Sequence, residues 1–147
     1  MFYREHNRQT EILKGIQIDD PMVFVLWDYN ASDTEYCFRN HQLSRVTDEY
    51  YVIKAAKLFG TLTCNIGFHF DKSLKRIELF REEYLDLRKS YNDFQKRFEY
   101  EFGKPGKREM NPDGFESCEW RFGNKVIIYH DVIDRFGLTE YLCMVRT

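Results

Sequence analysis

The spacing of apolar residues changes twice along this chain, and these changes constrain its fold more than any other feature. From Thr61 to Phe70 apolar and polar residues alternate with a period of two, which predicts a half-buried strand. Near Tyr84 the spacing becomes three and four, as in a helix, and after Pro105 the period of two returns. Strands, one long helix and further strands, joined by hairpin-length connections, predict an α+β fold on an antiparallel sheet.

The helical segment places its apolar residues on a single face. These residues are Tyr84, Leu87, Tyr91, Phe94, Phe98 and Phe102. Ser90 and Asp93 have the spacing of a capping box, while Gly103 and Pro105 are typical of a helix end. We therefore predict one main helix over about residues 90–102, with a start near Tyr84 as the alternative, packed on one face of the sheet.

The sheet is predicted to contain about five to seven strands. Residues 50–59 should pair with the strand after Gly60, and a return strand should follow at about 75–82. Three strands are predicted after the helix, the first two joined by a hairpin turn at Gly123-Asn124. Their alternating residues are Cys118, Trp120 and Phe122, then Val126, Ile128, His130 and Val132, then Tyr141, Cys143 and Val145.

The first third of the chain carries weaker patterns. Residues 22–27 are rich in β-branched and aromatic residues and predict a strand, with a helix starting at Asp20-Pro21 as the alternative. Residues 30–49 predict a loop with a short strand at about 36–39. The sequence contains no convincing internal repeat and no linker, so its 147 residues predict a single domain over 1–147.

Charge and cysteine content narrow the function classes. The 22 basic and 24 acidic residues give a net charge of −2 without a coherent basic cluster, which argues against a nucleic-acid partner. No apolar stretch has the length of a membrane span, and residues 1–10 lack the apolar region of a signal peptide. The four cysteines show no CxxC spacing, which predicts reduced, mostly buried thiols, no disulfide or zinc site, and a cytoplasmic location.

Two histidines are the candidates for a metal site or for general acid–base catalysis. His69 and Asp71 share one face of a strand, and His130 precedes Asp131 on a later strand. No phosphate loop, nucleophile elbow or HExxH motif accompanies them. The spacing of His130 from Val126 predicts a hydrogen-bonded histidine beneath the helix, whereas His69 is predicted to be an exposed polar residue. We expect no catalytic residue, cofactor or metal.

The face of the sheet opposite the helix is predicted to be partly open. The residues expected to line it are Thr63, Asn65, His69, Glu78, Glu119, Arg121, Ile127, Tyr129 and Arg146. Aromatic residues make up 17% of the chain, and such residues serve either as core filler or as anchors at interfaces. If this face binds a partner, the strand alternation nominates Asn65, His69, Arg121 and Tyr129 as its contact residues.

One layout of residues resembles a group of known proteins. The pattern is F-x-F-D … I-x-L-F … Y-x-x-F-x-x-x-F-x-x-x-F-G-K-P … W … I-I, and it runs from Phe68 to about Val145. This layout is similar to that of small bacterial proteins of unknown function, among them immunity proteins of toxin systems and small lipoproteins. The resemblance implies a sheet that binds another protein on its open face, and it implies no reaction.

Three functions follow as hypotheses. The first is a non-enzymatic protein-binding module or inhibitor of the immunity-protein type, acting through the open face. The second is an enzyme whose site is assembled around His69 from residues distant in sequence. The third is a structural, homo-oligomeric module, possible as a homodimer if Leu142 and Met144 lie on the outer face of the sheet.

Overall fold

The computed structural model describes residues 8–147, and residues 1–7, on which part of the signal-peptide expectation rests, lie outside the described residues. After a helical turn at residues 8–11, ten strands and two longer helices follow. In chain order they are β1 (Gly15–Ile18), β2 (Val23–Leu26), α1 (Ala31–Cys37), β3 (Leu43–Thr47), β4 (Tyr50–Leu58), β5 (Leu62–Asp71), β6 (Ser73–Phe80), α2 (Leu87–Phe102), β7 (Lys107–Met110), β8 (Glu116–Phe122), β9 (Val126–Asp134) and β10 (Leu138–Arg146).

The main sheet has eight strands in the order β3-β4-β5-β6-β10-β9-β8-β7, and every neighbouring pair is antiparallel. The predicted α+β class with an antiparallel sheet is confirmed, but the strand number exceeds the predicted five to seven. The two unpredicted members are the short edge strands β3 and β7. Most of their residues are exposed, so neither shows the apolar alternation that reveals a half-buried strand. Strands β1 and β2 form a separate pair, which confirms a strand within residues 22–27.

The short strand predicted at about 36–39 is wrong, because residues 36 and 37 end helix α1 and residues 38 and 39 form the turn that follows it. The Asn30 side chain accepts a hydrogen bond from the Asp33 backbone N–H, and the Asp33 carboxylate accepts one from the Asn30 N–H. This reciprocal capping box satisfies two backbone donors that a helix start would otherwise leave unpaired. Phe38 directly follows α1 and contacts Phe68 of β5, with ring centroids 5.7 Å apart.

The sheet consists of two meanders with the same topology. Helix α1 precedes β3–β6, helix α2 precedes β7–β10, and the last strands β6 and β10 pair antiparallel at the centre. The two halves are therefore related by an approximate two-fold axis that passes between β6 and β10. No repeat in the sequence signals this arrangement, so it is a property of topology and not of residue identity.

Helix α2 lies across one face of the sheet, as predicted, and Tyr91, Phe94, Phe98 and Phe102 are buried there. It begins at Leu87, with the Asp86 side chain accepting from the Lys89 N–H at 3.0 Å. The predicted capping box at Ser90 is therefore wrong, since Ser90 is a buried residue inside the helix. Gly103 ends the helix, as predicted, with φ 84° and ψ −174°, a combination that residues other than glycine rarely adopt.

His130 lies beneath α2 and is fully buried, as its spacing predicted. Its Nδ1 is 2.8 Å from Gln95 Oε1 and its Nε2 is 2.5 Å from Glu140 Oε2. The Ser90 hydroxyl donates to Glu140 Oε1 at 2.6 Å and accepts from the Arg81 guanidinium at 2.6 Å. Because every polar group of this buried network has a partner, it holds the helix to strands β9 and β10 rather than presenting reactive atoms.

Strand β10 corrects one expectation. Leu142 and Met144 are 2% and 0% exposed and belong to the core beneath α2, so the expected outward placement is wrong. The opposite side of the strand carries Tyr141, Cys143 and Val145. Both sets are largely apolar, although Tyr141 and Val145 are only half-buried on the uncovered side of this central strand. Alternation alone therefore could not tell the two faces apart.

The predicted burial of three cysteines, Cys64, Cys118 and Cys143, is confirmed. Within residues 8–147 no helix combines the length and the apolar character needed to cross a membrane.

Candidate functional site on the open face of the sheet

The face of the main sheet opposite α2 is defined by two rows of residues in register, and we call it the open face. The first row, from β5 to β7, is Gly67, Glu78, Cys143, Tyr129, Glu119 and Lys107. The second row, from β4 to β8, is Tyr50, His69, Arg76, Val145, Ile127 and Arg121. Both helices and the β1–β2 pair contribute side chains to the core on the other face, and no helix of the described residues covers the open face.

One end of the open face is organised around His69. The ring of Tyr50 stacks on the imidazole, with centroids 4.2 Å apart and an interplanar angle of 19°. Tyr50 also lies over Gly67, where any larger residue would place its Cβ 2.8 Å from the tyrosine ring. The absence of a side chain at Gly67 therefore allows the Tyr50 ring to pack directly against the sheet. Burial in this position raises the pKa of Tyr50.

Charged groups complete this end of the face. His69 Nε2 contacts Glu78 Oε1, while His69 Nδ1 lies 3.4 Å from Arg76 Nη2. Arg76 Nη2 is in turn 3.3 Å from Glu78 Oε1. The hydrogen bond from His69, together with the nearby Arg76 charge, holds the pKa of Glu78 below its usual range. The three side chains therefore fix one another, and His69 is half-buried rather than freely exposed.

Tyr141 stands near the middle of the open face. Its phenol oxygen accepts a hydrogen bond from the Cys143 thiol, with Sγ and Oη 3.1 Å apart. Burial raises the pKa of Tyr141 to about 12 and also raises the pKa of Cys143, so both groups are neutral at physiological pH. Two hollows flank this tyrosine, one of about 560 Å³ toward Tyr50 and His69 and one of about 160 Å³ toward Tyr129.

All four predicted contact residues lie on the open side of their strands, but only His69, Arg121 and Tyr129 are accessible there. Tyr129 sits on β9 between Cys143 and Glu119, and Arg121 is 57% exposed on β8, where its Nε donates to Glu119 Oε2 at 2.7 Å. His69 lies three strand spacings from Tyr129, roughly 14 Å across the sheet. The polar residues of the face are therefore spread over an area suited to a macromolecule and do not converge on one point.

The fourth predicted residue, Asn65, has a different environment. Its side chain is buried, and its Oδ1 accepts from the Ala55 backbone N–H at 3.0 Å. Ala55 has φ 53° and lies where the register of β4 against β5 shifts, so Asn65 stabilises a β-bulge. Arg146 also leaves the predicted lining, since it points to the other side of the sheet and pairs with Asp28 at 3.5 Å.

Sequence reasoning missed Tyr50, Arg76 and Tyr141 as members of this face. Tyr50 and Arg76 are the cross-strand neighbours of His69, and only the strand register brings them together. The spacing of Tyr141 was visible, but its side of β10 was not. A pairing of β5 with β6 through the turn at Asp71 was the one signal that could have placed Arg76 beside His69.

The polar side chains around His69 contact one another. Both ring nitrogens of His69 face charged side chains, and no serine, threonine or cysteine among residues 8–147 lies within hydrogen-bonding distance of them. In the same part of the chain no three His, Cys, Asp or Glu residues are grouped as a metal site would require. The open face also carries tyrosine rings and an exposed arginine, two residue types that are enriched at protein interfaces.

Comparison of this chain with protein-family models, with curated proteins and with solved structures finds no match.

Proposed function

We propose that this chain is a non-enzymatic protein-binding module of the inhibitor or immunity-protein type, and that it binds its partner through the open face. The observation that carries the proposal is the set of tyrosines held in place on a sheet face that no helix of the described residues covers. Tyr50 is stacked on His69, and Tyr141 is hydrogen-bonded to Cys143. Aromatic side chains that are already ordered lose little conformational entropy on binding, which favours their use as anchors.

The charge pattern of the face favours a different protein as partner over a second copy of this chain. Its first row contains Glu78, Glu119 and Lys107, its second row contains Arg76 and Arg121, and its aliphatic members Ile127 and Val145 are buried or half-buried. The large hydrophobic side chains with the greatest exposure, including Met22, Leu85 and Phe136, belong to neither row. Obligate homodimers bury apolar interfaces, whereas a polar, aromatic face is typical of partners that also exist apart.

Capture of the partner followed by affinity measurements tests the proposal. The tagged chain would be expressed in its native host, and proteins that co-purify would be identified by mass spectrometry. Affinity would then be measured for the wild type, Tyr129→Ala, Arg121→Ala and His69→Ala. The matched control is Tyr100→Ala, because Tyr100 is a 55% exposed tyrosine on α2, on the other side of the sheet.

The expected result is a loss of about 2 kcal/mol or more in binding free energy for Tyr129→Ala or Arg121→Ala, as for hot-spot residues. Tyr100→Ala should leave the affinity unchanged. If Tyr129→Ala and Arg121→Ala both bind like the wild type, the open face is not the binding surface. An enzyme would behave differently, since His69→Ala would abolish turnover of a substrate without altering affinity for a protein.

A further inference from the structure

We infer that the smaller hollow of the open face is a niche for a lysine or arginine side chain of the partner, an inference that rests on the proposed function. We call this hollow the tyrosine niche, and its volume is about 160 Å³. The side chains that carry the argument are Tyr129, Tyr141, Glu109, Glu119, Asp131 and Lys107, all of which line it.

The charge of the tyrosine niche favours a cation. Three carboxylates line it, and because Glu119 already pairs with Arg121, Glu109 and Asp131 remain against the single ammonium group of Lys107. Asp131 is fixed in place because its Oδ1 accepts from Asn111 Nδ2 at 3.0 Å and from the Val132 N–H at 2.7 Å. A carboxylate that is already held in position attracts a basic group without the loss of conformational entropy that ordering its side chain would require.

The two tyrosines add an attraction that is specific to cations and to flat guanidinium groups. Tyr129 Oη has no hydrogen-bond partner among the described residues, so it is free to bind a donor from outside. Tyr141 is held by the Cys143 thiol and remains a neutral phenol. Neutral aromatic faces attract ammonium and guanidinium ions through the ring quadrupole, and arginine is the more frequent partner.

The size of the tyrosine niche favours a side chain over a free small molecule. Its volume of about 160 Å³ lies below the roughly 300–1,000 Å³ usual for small-molecule pockets. The larger hollow on the other side of Tyr141 is a natural comparison, because its lining balances Glu49 and Asp71 with Lys75 and Arg76. The excess of negative charge is therefore local to the niche and not a property of the whole face.

Titration of the intact chain with capped tripeptides, followed by amide NMR shifts, tests the inference without knowledge of the partner. The probes are acetyl-Gly-Arg-Gly-amide, its lysine counterpart and its glutamate counterpart. The arginine and lysine peptides should shift amides near residues 117–119, 129–131 and 141, and added salt should weaken the effect. The glutamate peptide should not shift them. Equal shifts from all three peptides, or no localised shift from the basic ones, would overturn the inference.

Substitutions inside and outside the tyrosine niche test which side chains bind the arginine peptide. Glu109→Gln combined with Asp131→Asn keeps the shape of the niche and the Asp131 hydrogen bonds, and should weaken the arginine peptide about threefold or more. Tyr129→Leu should weaken it as well, whereas Tyr129→Phe should retain most of the affinity because the ring remains. Glu49→Gln, in the larger hollow, is the matched control and should bind like the wild type. Unchanged affinity in the double variant would overturn the inference.

The inference and the proposed function fail in different ways. Suppose that a captured partner requires Arg121 and Tyr129 but binds the Glu109→Gln, Asp131→Asn variant with wild-type affinity. This result would contradict the inference about the tyrosine niche and would still support the open face as the binding surface. Suppose instead that basic peptides bind the tyrosine niche, while the affinity of a captured partner is unchanged by Tyr129→Ala and Arg121→Ala. This result would contradict the proposed function and would still support the niche as a site for basic side chains.

Discussion

At the scale of single residues, the two histidines on β5 and β9 perform different tasks with the same kind of partner. Each contacts a glutamate on the last strand of its own meander, His69 with Glu78 and His130 with Glu140. The first pair lies half-buried on the open face, and the second is fully buried beneath α2. The first therefore shapes a surface, whereas the second stabilises the junction between helix and sheet.

The buried pair leads to a prediction about coupling. Glu140→Leu should destabilise the fold by about 3–5 kcal/mol, because His130 and Ser90 lose their buried partner. His130→Leu should be destabilising for the same reason. The double variant should cost at least about 1 kcal/mol less than the sum of the two, since no unpaired half remains. Free energies of unfolding from urea titrations measure this cycle, and strictly additive losses would show that the contact is not energetically coupled.

The half-buried pair of His69 and Glu78 leads to a prediction about pH. The native pKa of Glu78 is below that of an unfolded glutamate, about 4.3, so its stabilising effect is complete above that pH and is lost as pH falls through the native value. Glu78→Gln should therefore cost about 1 kcal/mol at pH 5.5 and progressively less as the pH falls below about 4. Unfolding curves at each pH measure the difference, with Glu82→Gln as a control at an exposed carboxylate. A difference that grows toward acid would contradict the account.

At the scale of elements, α2 is the main organiser of the core. Phe98 contacts Phe59, which directly follows β4, and Trp120 of β8, with ring centroids 5.4 and 5.9 Å away, and thereby joins both halves of the sheet. Phe94 is equally buried and lies beneath the Arg81 guanidinium, 4.5 Å from its ring centroid. Because α2 packs against both meanders, we expect substitutions that weaken its packing to destabilise the whole fold.

We therefore predict that Phe94→Ala and Phe98→Ala each destabilise the protein by about 3–5 kcal/mol, the range for truncation of buried aromatic residues. Tyr100→Ala, on the exposed side of the same helix, should change stability by about 0.5 kcal/mol or less. Chemical denaturation measures all three. Losses below about 1 kcal/mol at both phenylalanines would mean that the buried face of α2 is assigned wrongly.

At the scale of the whole molecule, elements with one buried face could be predicted and pairings between distant strands could not. The aromatic spacing of Phe94, Phe98 and Phe102 and the alternation along β5 each record a single buried side, so both elements were visible in the sequence. The edge strand β7 was not, because its four residues are all exposed and it exists only through pairing with β8. Short helix α1 was missed because seven residues carry little periodicity.

The residues of the candidate site divide in the same way, into those that alternation along a strand could place and those that depend on pairing between strands. Alternation placed His69, Arg121 and Tyr129 on one face, because each lies opposite a clearly apolar set on its own strand. It could not place Tyr141, since β10 is apolar on both sides. The neighbours of His69 are set by register across β4, β5 and β6, and cross-strand register depends on contacts between residues far apart in sequence.

The central claim is that the open face is the surface a partner protein covers, and photo-crosslinking in the native host tests it most directly. A photoreactive phenylalanine analogue would replace Tyr129 or Arg121 on the open face, or Tyr100 on α2 as the control, with unfolding free energies required to stay within about 0.5 kcal/mol of the wild type. The account predicts one discrete crosslinked protein from both open-face positions and none of it from position 100. The same adduct from position 100, or adducts from that position alone, would contradict the account.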